Sequence, residues 1–150
     1  MSFPLPSILL VEDSEDHVFL FKRALAHSTA EDEVELNVVS DGVEALEFLR
    51  HEGEFSGSKL PELIVLDINM PRMNGFETLE EIKKDAELST IPVVILSSSV
   101  RREDVSRSYQ SGACTFVSKP ISFDDFCKML KDFAKYWSQV ATLPTASVQG

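Results

Sequence analysis

The chain has 150 residues, 43% of them hydrophobic, so it is long and apolar enough to fold as one ordinary domain with a core. Its net charge of −11 disfavours nucleic acid and anionic lipid as partners. The sequence shows no signal-peptide pattern, no apolar stretch of membrane-spanning length and no metal or redox spacing of its two cysteines, so we expect a cytoplasmic protein.

Five short apolar runs, each rich in β-branched residues, are predicted to be strands. Most are continuous rather than alternating, which is typical of parallel strands that are buried on both faces of a sheet. The second run is more mixed in polarity and suits a position nearer an edge. The predicted strands are Ile8 to Val11, Val34 to Val39, Leu63 to Leu66, Ile91 to Leu96 and Thr115 to Val117.

Helical periodicity fills the segments between the strands. Three amphipathic faces are formed by Val18, Phe21 and Leu25, by Val43, Leu46 and Leu49, and by Phe76, Leu79 and Ile82. A weaker helix is predicted over Arg102 to Ser111, and a long apolar helix runs from Phe123 to about Val140. Strands that alternate with helices predict an α/β fold with a parallel sheet covered on both sides. We predict one domain over residues 1–141 and a flexible C-terminal tail over residues 142–150.

The polar residues that follow the predicted strands are the candidates for function, because ligands of open parallel sheets collect beyond the carboxyl ends of the strands. They are Glu12 and Asp13, Asp67 and Asn69, Ser97, and Lys119. We therefore expect three carboxylates, a hydroxyl and an ammonium to meet at one edge of the sheet.

Three neighbouring carboxylates repel one another, and a divalent cation relieves that repulsion. Their hard oxygens favour Mg²⁺. Asp67 can be a metal ligand and also a nucleophile, since a carboxylate can accept a phosphoryl group when a metal and an ammonium neutralise the transferred oxygens. Lys119 supplies a mobile positive charge that suits phosphate.

Each candidate also has a purely structural interpretation. Asp13 or Ser14 can cap the first helix, and Glu12 can be solvent-exposed. Asp67 can start a turn before Pro71, and Lys119 can be an ordinary surface lysine. Their coincidence at neighbouring strand ends favours the functional interpretation.

The motifs around these residues resemble those of the receiver domain of two-component response regulators. The resemblance covers about residues 7–137, with the motifs in the family's order. The matching stretches are Ile8 to Asp13, Asp67 to Gly75, Ile91 to Ser97, and Gly112-Ala113 through Phe116 to Lys119-Pro120. The combination is highly specific, although an acidic pair or a Lys-Pro dipeptide alone is weak.

The resemblance implies a flavodoxin-like, doubly wound fold with five parallel strands in the order 2-1-3-4-5. It implies that Asp67 accepts a phosphoryl group from a sensor histidine kinase. Asp13 and Asp67 would bind Mg²⁺ through their side chains. Asn69 would contribute its backbone carbonyl to the metal, and Glu12 would act through water.

The resemblance also assigns a switch. Ser97 would hydrogen-bond the phosphoryl group, and Phe116 would swing inward as Ser97 moves. Lys119 would pair with the phosphate and form a cis peptide bond with Pro120. Glu12 replaces a frequent aspartate, Ser97 a frequent threonine and Phe116 a frequent tyrosine, but nothing essential to phosphate acceptance is missing.

A narrower resemblance is to the small stand-alone regulators that partner bacterial phytochrome kinases. It rests on Ile82 to Asp85, the serines after Leu96, and the segment from Tyr136 to Pro144. With no effector domain in the chain, output must occur by association. The apolar excess of the last helix predicts a homodimer built on the last two helices or strands, unless those residues pack under the chain's own tail.

Two other classes of function compete with a phosphate-accepting regulator. A phosphatase of the haloacid dehalogenase type also places an aspartate nucleophile after a strand, but it normally has a second acid where this chain has Asn69. It also carries the nucleophile on the first strand rather than the third. A phosphate-independent scaffold with a receiver fold is the other alternative, and the intact set of acids, hydroxyl and lysine argues against it.

Overall fold

The computed structural model of the protein describes residues 5–28 and 35–144. Its strands form one parallel sheet in the order β2-β1-β3-β4-β5, so the predicted doubly wound α/β architecture is confirmed. The mixed second strand lies at an edge, as its polarity predicted. The strands are β1 (Ile8–Val11), β2 (Leu36–Val39), β3 (Leu63–Leu66), β4 (Val93–Ser97) and β5 (Thr115–Ser118).

Helices cover both faces of the sheet. The helices are α1 (Glu15–Ser28), α2 (Gly42–Leu49), α3 (Gly75–Lys84), α4 (Arg102–Gln110) and α5 (Phe123–Lys135), with a 3₁₀ turn at Gly53–Phe55 and a π-helix at Tyr136–Val140. Alternate residues of the central strands enter two separate cores. Leu9 and Ile64 pack towards α2 and α3, whereas Ile8 and Val65 pack towards α1 and α5. This double burial explains why the strands are continuously apolar.

Several observed boundaries differ from the predicted ones by one or two residues. Val34 lies outside the described residues, and β2 begins at Leu36; β4 ends at Ser97, β5 at Ser118 and α4 at Gln110. β4 starts at Val93 rather than at Ile91, because Pro92 has no N–H to give to the sheet. The last helix is α-helical only to Lys135 and then continues as a π-helix.

The predicted tail lies mostly outside the described residues, and its flexibility stays a prediction. Of its residues, 142–144 are described, and the side chain of Leu143 is buried. Among the described residues, no helix combines the length and the apolar character needed to span a bilayer.

The turn after β3 is held close to the end of that strand. Asn74 caps α3 with a reciprocal pair of hydrogen bonds to Glu77. The N–H of Gly75 donates to the carbonyl of Ile68 at 2.8 Å. A Cβ atom at Gly75 would collide with the backbone carbonyl of Asp67. A residue without a side chain is therefore required where α3 begins.

Replacing Gly75 by alanine is expected to lower the free energy of unfolding by about 2 kcal/mol or more, because the new methyl group displaces the backbone at Asp67. Gly57→Ala is the control, since a Cβ atom there meets no atom within 4 Å. Urea unfolding of both variants measures the difference. A Gly75 variant as stable as the Gly57 variant would contradict this account of the turn.

Candidate functional site

Two carboxylates are buried side by side at the carboxyl ends of β1 and β3. Glu12 and Asp67 are 4% and 7% exposed, and Asp13 beside them is exposed. The backbone N–H of Asp67 donates to Val11 at 3.1 Å, and that of Glu12 donates to Val39 at 3.0 Å. The sheet's own hydrogen bonds thus place both acids. One carboxylate oxygen from each of the three acids lies within 4.8 Å of the others.

Lys119 brings a positive charge to these acids from the end of β5. Its Nζ lies 2.6 Å from Oε1 of Glu12 and 3.6 Å from Oδ2 of Asp67, and its side chain is 5% exposed. The backbone N–H of Lys119 donates to the carbonyl of Ser97 at 2.8 Å, which fixes the lysine to the end of β4. One ammonium thus faces two buried carboxylates, so negative charge remains in excess.

The pKa of Asp67 is raised from 3.8 to about 6. Burial is the main cause, and the neighbouring charge of Glu12 adds to it. The ammonium of Lys119 and the backbone N–H of Ile68, which donates to Oδ1 at 2.8 Å, act in the opposite direction. Without a bound cation, the positive charge of Lys119 and the N–H of Ile68 therefore do not fully stabilise the ionised form of Asp67.

A divalent cation fits this set of side chains. Glu12, Asp13 and Asp67 offer hard oxygen ligands, and their excess negative charge is the kind that Mg²⁺ or Mn²⁺ balances. Asn69 lies two residues beyond Asp67 and its side chain is exposed. The acidic triad therefore has the chemistry of a divalent metal site.

Ser97 ends β4, the strand beside that of Asp67, and Phe116 lies in β5. Hydrogen bonds connect each of them to α4, directly or through Ser99. Ser97 is fully buried, and its Oγ accepts the N–H of Ser99 at 3.1 Å. The hydroxyl of Ser99 donates to Asp104 in the first turn of α4 at 2.5 Å. The backbone N–H of Phe116 donates to the hydroxyl of Tyr109, at the other end of α4, at 3.1 Å.

The side chain of Phe116 is half-buried against the core on the α2 and α3 side of the sheet. The peptide bond between Lys119 and Pro120 is trans, as are all peptide bonds of the described residues, so the expected cis bond was wrong. The trans isomer is the lower in energy by about 0.5–1 kcal/mol for a typical X–Pro bond.

His17 is a site residue that sequence reasoning missed. It lies in the first turn of α1, and its Nδ1 is 2.8 Å from Nζ of Lys119 and 3.7 Å from Oε2 of Glu12. The sequence did offer a signal, because α1 follows directly on the strand that ends in Glu12. The first turn of such a helix lies at the carboxyl edge of the sheet, where the other candidates meet.

A family model identifies the class of protein that this fold and this site define. The model of the response regulator receiver domain matches residues 8–131, so the chain belongs to that family. Members of this class are phosphoacceptor signalling proteins rather than catalytic enzymes, and a histidine kinase is their partner.

The particular relatives point to a narrower group. The chain is 39% identical over 145 residues to the response regulator Rcp1 of Synechocystis sp., covering 97% of each chain. The crystal structure of the Mn²⁺-bound form of Rcp1 has a TM-score of 0.84 at 37% identity, covering 93% of this chain and 99% of the other.

Two further solved structures are similar. The phosphorylated cyanobacterial phytochrome response regulator RcpA has a TM-score of 0.83 at 37% identity, covering 93% of this chain and 99% of the other. The bacteriophytochrome response regulator RtBRR has a TM-score of 0.72 at 36% identity, covering 97% and 87%. The chain is thus a receiver protein related to phytochrome response regulators.

The raised pKa of Asp67 predicts how stability depends on pH in the absence of metal. Between about pH 4 and pH 6 the folded state holds a proton on Asp67 that the unfolded state has released, so stability falls as pH rises through this window. Asp67→Asn removes the effect. We expect it to raise the free energy of unfolding by about 1–2 kcal/mol at pH 7 and to change it little at pH 4.

Chemical denaturation at the two pH values, in a chelator, measures this difference. Asp132→Asn, at an exposed position of α5, is the matched control and should leave stability unchanged at both pH values. Added Mg²⁺ should stabilise the wild type but not the Asp67 variant. An Asp67→Asn protein that is less stable than wild type at pH 7 would show that the site does not strain the carboxylate.

Proposed function

We propose that the protein is a stand-alone cytoplasmic response regulator that accepts a phosphoryl group on Asp67 from a sensor histidine kinase. Asp13 and Asp67 would hold Mg²⁺ through their side chains, Asn69 through its backbone carbonyl and Glu12 through water. The metal supplies positive charge to the phosphoryl oxygens. The observation that carries the proposal is the buried ammonium of Lys119, which lies 3.6 Å from the buried carboxylate of Asp67.

The transfer exchanges one bond for another at phosphorus. A carboxylate oxygen of Asp67 attacks the phosphorus of a phosphohistidine, the P–N bond breaks, and its electron pair returns to the imidazole of the kinase. Lys119 pairs with the oxygens of the transferred group, and the hydroxyl of Ser97 donates a hydrogen bond to one of them. Burial of Asp67 keeps these charged contacts strong.

The switch we propose starts at Ser97 and Phe116. If the hydroxyl of Ser97 turns to the phosphoryl group, Ser99 loses the acceptor of its N–H, and the hydrogen bonds that hold the first turn of α4 are weakened. Phe116 can then move into the space beside Ser97. Its backbone is tied to Tyr109, so this motion reaches the last turn of α4 as well. Phosphorylation thereby shifts a two-state element.

A phytochrome kinase is the partner class that we propose. RcpA is a cyanobacterial phytochrome response regulator and RtBRR is a bacteriophytochrome response regulator, and both resemble this chain over more than nine tenths of its length. The acidic surface makes nucleic acid an unfavourable partner.

Output through a homodimer is supported by an apolar groove beside the edge strand β5. The groove has a volume of about 440 Å³. It is lined by Cys114, Thr115, Val117, Met129, Phe133, Tyr136 and Trp137. Tyr136 is 50% exposed and Val140 is 64% exposed, which leaves apolar surface uncovered at the end of α5. A second copy that uses the same surface would bury it with two-fold symmetry.

Asp67→Asn is expected to abolish phosphoryl acceptance, because an amide cannot attack phosphorus as a carboxylate does. Wild type and variant are incubated with Mg²⁺ and either phosphoramidate or a phosphorylated phytochrome kinase, and labelling is followed by intact-mass analysis. Asp132→Asn, an exposed aspartate on α5, should be labelled like wild type. Full labelling of the Asp67 variant would reject the assignment of the phosphoacceptor.

Tyr136→Glu is expected to weaken the proposed dimer at least tenfold, since it places a charge in the apolar groove. Phe19→Glu is the control, because Phe19 is an exposed aromatic on α1 and does not line the groove. Light scattering over a concentration series, with and without phosphodonor, gives the masses. A wild-type protein that stays monomeric in both conditions would remove the dimer from the proposal.

A further inference from the structure

The two shortest hydrogen bonds of Lys119 are to Glu12, which belongs to the acidic triad, and to His17, which does not. Its Nζ lies 2.6 Å from Oε1 of Glu12 and 2.8 Å from Nδ1 of His17, whereas Oδ2 of Asp67 is 3.6 Å away. An ammonium has no lone pair, so Nδ1 accepts this hydrogen bond and the ring proton lies on Nε2. His17 is therefore a neutral acceptor for the ammonium.

The carboxylate of Glu12 can interact with two different cations, the ammonium of Lys119 and a metal ion. It is the nearest carboxylate to Lys119, and it also belongs to the acidic triad. A divalent cation in the triad would attract Glu12 and repel the ammonium, so it would weaken the bond between Glu12 and Lys119. The side chain of Lys119 is 5% exposed, so bulk water has little access to replace the lost acceptor. The ammonium then needs a second acceptor.

We propose that His17 is a positioning residue, whose Nδ1 holds the ammonium of Lys119 beside Asp67 while Glu12 is shared with a divalent cation. This inference rests on the proposed function, because it concerns phosphoryl transfer to Asp67. The imidazole is well placed for the task. The backbone N–H of His17 donates to Oγ of Ser14 at 3.3 Å, and the ring is 38% exposed at the entrance to the site.

Replacing His17 by asparagine or by leucine tests whether its hydrogen-bond acceptor, rather than its bulk alone, matters. In asparagine, Oδ1 is bonded to Cγ just as Nδ1 is in histidine, so His17→Asn retains an acceptor at the same place. His17→Leu retains the bulk and removes the acceptor. The full-length variants are labelled with phosphoramidate over a range of donor concentrations in saturating Mg²⁺. Calorimetry gives the Mg²⁺ dissociation constant, and thermal unfolding reports the fold.

We expect His17→Leu to lower the maximal labelling rate about tenfold, as for the loss of one hydrogen bond to a charged group. The donor concentration at half-maximal rate should stay close to wild type, and so should the melting temperature in a chelator, where Glu12 still holds the ammonium. The Mg²⁺ dissociation constant should rise, because the cation then competes with Lys119 for Glu12 without the compensating hydrogen bond to His17. His17→Asn should recover most of the rate. In a Lys119→Ala background, His17→Leu should cost nothing further, because its effect acts through the lysine.

Three results would overturn the inference. His17→Leu could be labelled as fast as wild type, His17→Asn could be as slow as His17→Leu, or His17→Leu could slow the Lys119→Ala protein by the same factor. In each of these cases the labelling of wild type still stands, so the proposed function survives. A wild-type protein that is not labelled on Asp67 would instead overturn both proposals.

Discussion

The site depends on one electrostatic arrangement, in which the buried ammonium of Lys119 faces two buried carboxylates that the sheet holds together. Glu12 and Asp67 follow paired positions of adjacent strands, since Val11 and Leu66 are partners in the register of β1 and β3. The backbone hydrogen bonds of the sheet therefore keep the carboxylates of Glu12 and Asp67 close together despite their mutual repulsion. Burial of Asp67 and, after it, this repulsion by Glu12 raise the pKa of Asp67. A divalent cation held by the acidic triad would relieve this repulsion.

The two cores give this arrangement a rigid base and leave α4 as the lightly held element. Its side chains are mostly exposed, and Ser108 is its buried residue. It is attached through hydrogen bonds from Ser99 to Asp104 and from Phe116 to Tyr109, and through the guanidinium of Arg107, which stacks on Phe76 at 4.1 Å. A helix whose side chains are mostly exposed can move without unfolding the sheet. A chemical change at the acids can therefore alter the position of α4 at the protein surface through few intervening residues.

Much of the fold and part of the site could be predicted from the sequence, because both depend on the local pattern of apolar and polar residues. Continuous β-branched runs mark buried parallel strands, and whatever follows them lies at the functional edge. What sequence could not supply were contacts between distant positions. His17 and Lys119 are 102 residues apart, and only the folded chain shows that they share a hydrogen bond. The hydrogen bond from the backbone of Phe116 to the hydroxyl of Tyr109 spans only seven residues, but it joins a strand to the preceding helix, and no periodic pattern predicts it.

The π-helix at Tyr136–Val140 sets the direction in which residues 141–144 leave the last helix. The N–H of Ala141 donates to the carbonyl of Tyr136, five residues earlier, at 2.9 Å, so this turn contains one residue more than an α-helical turn. Deleting one residue here would restore ordinary α-helical spacing and rotate the following chain by about 100° around the axis. We expect Leu143, which is buried here, to lose its present packing in such a variant. A single-codon deletion would therefore redirect residues 141–144 while the acidic triad at the opposite edge of the sheet stayed intact.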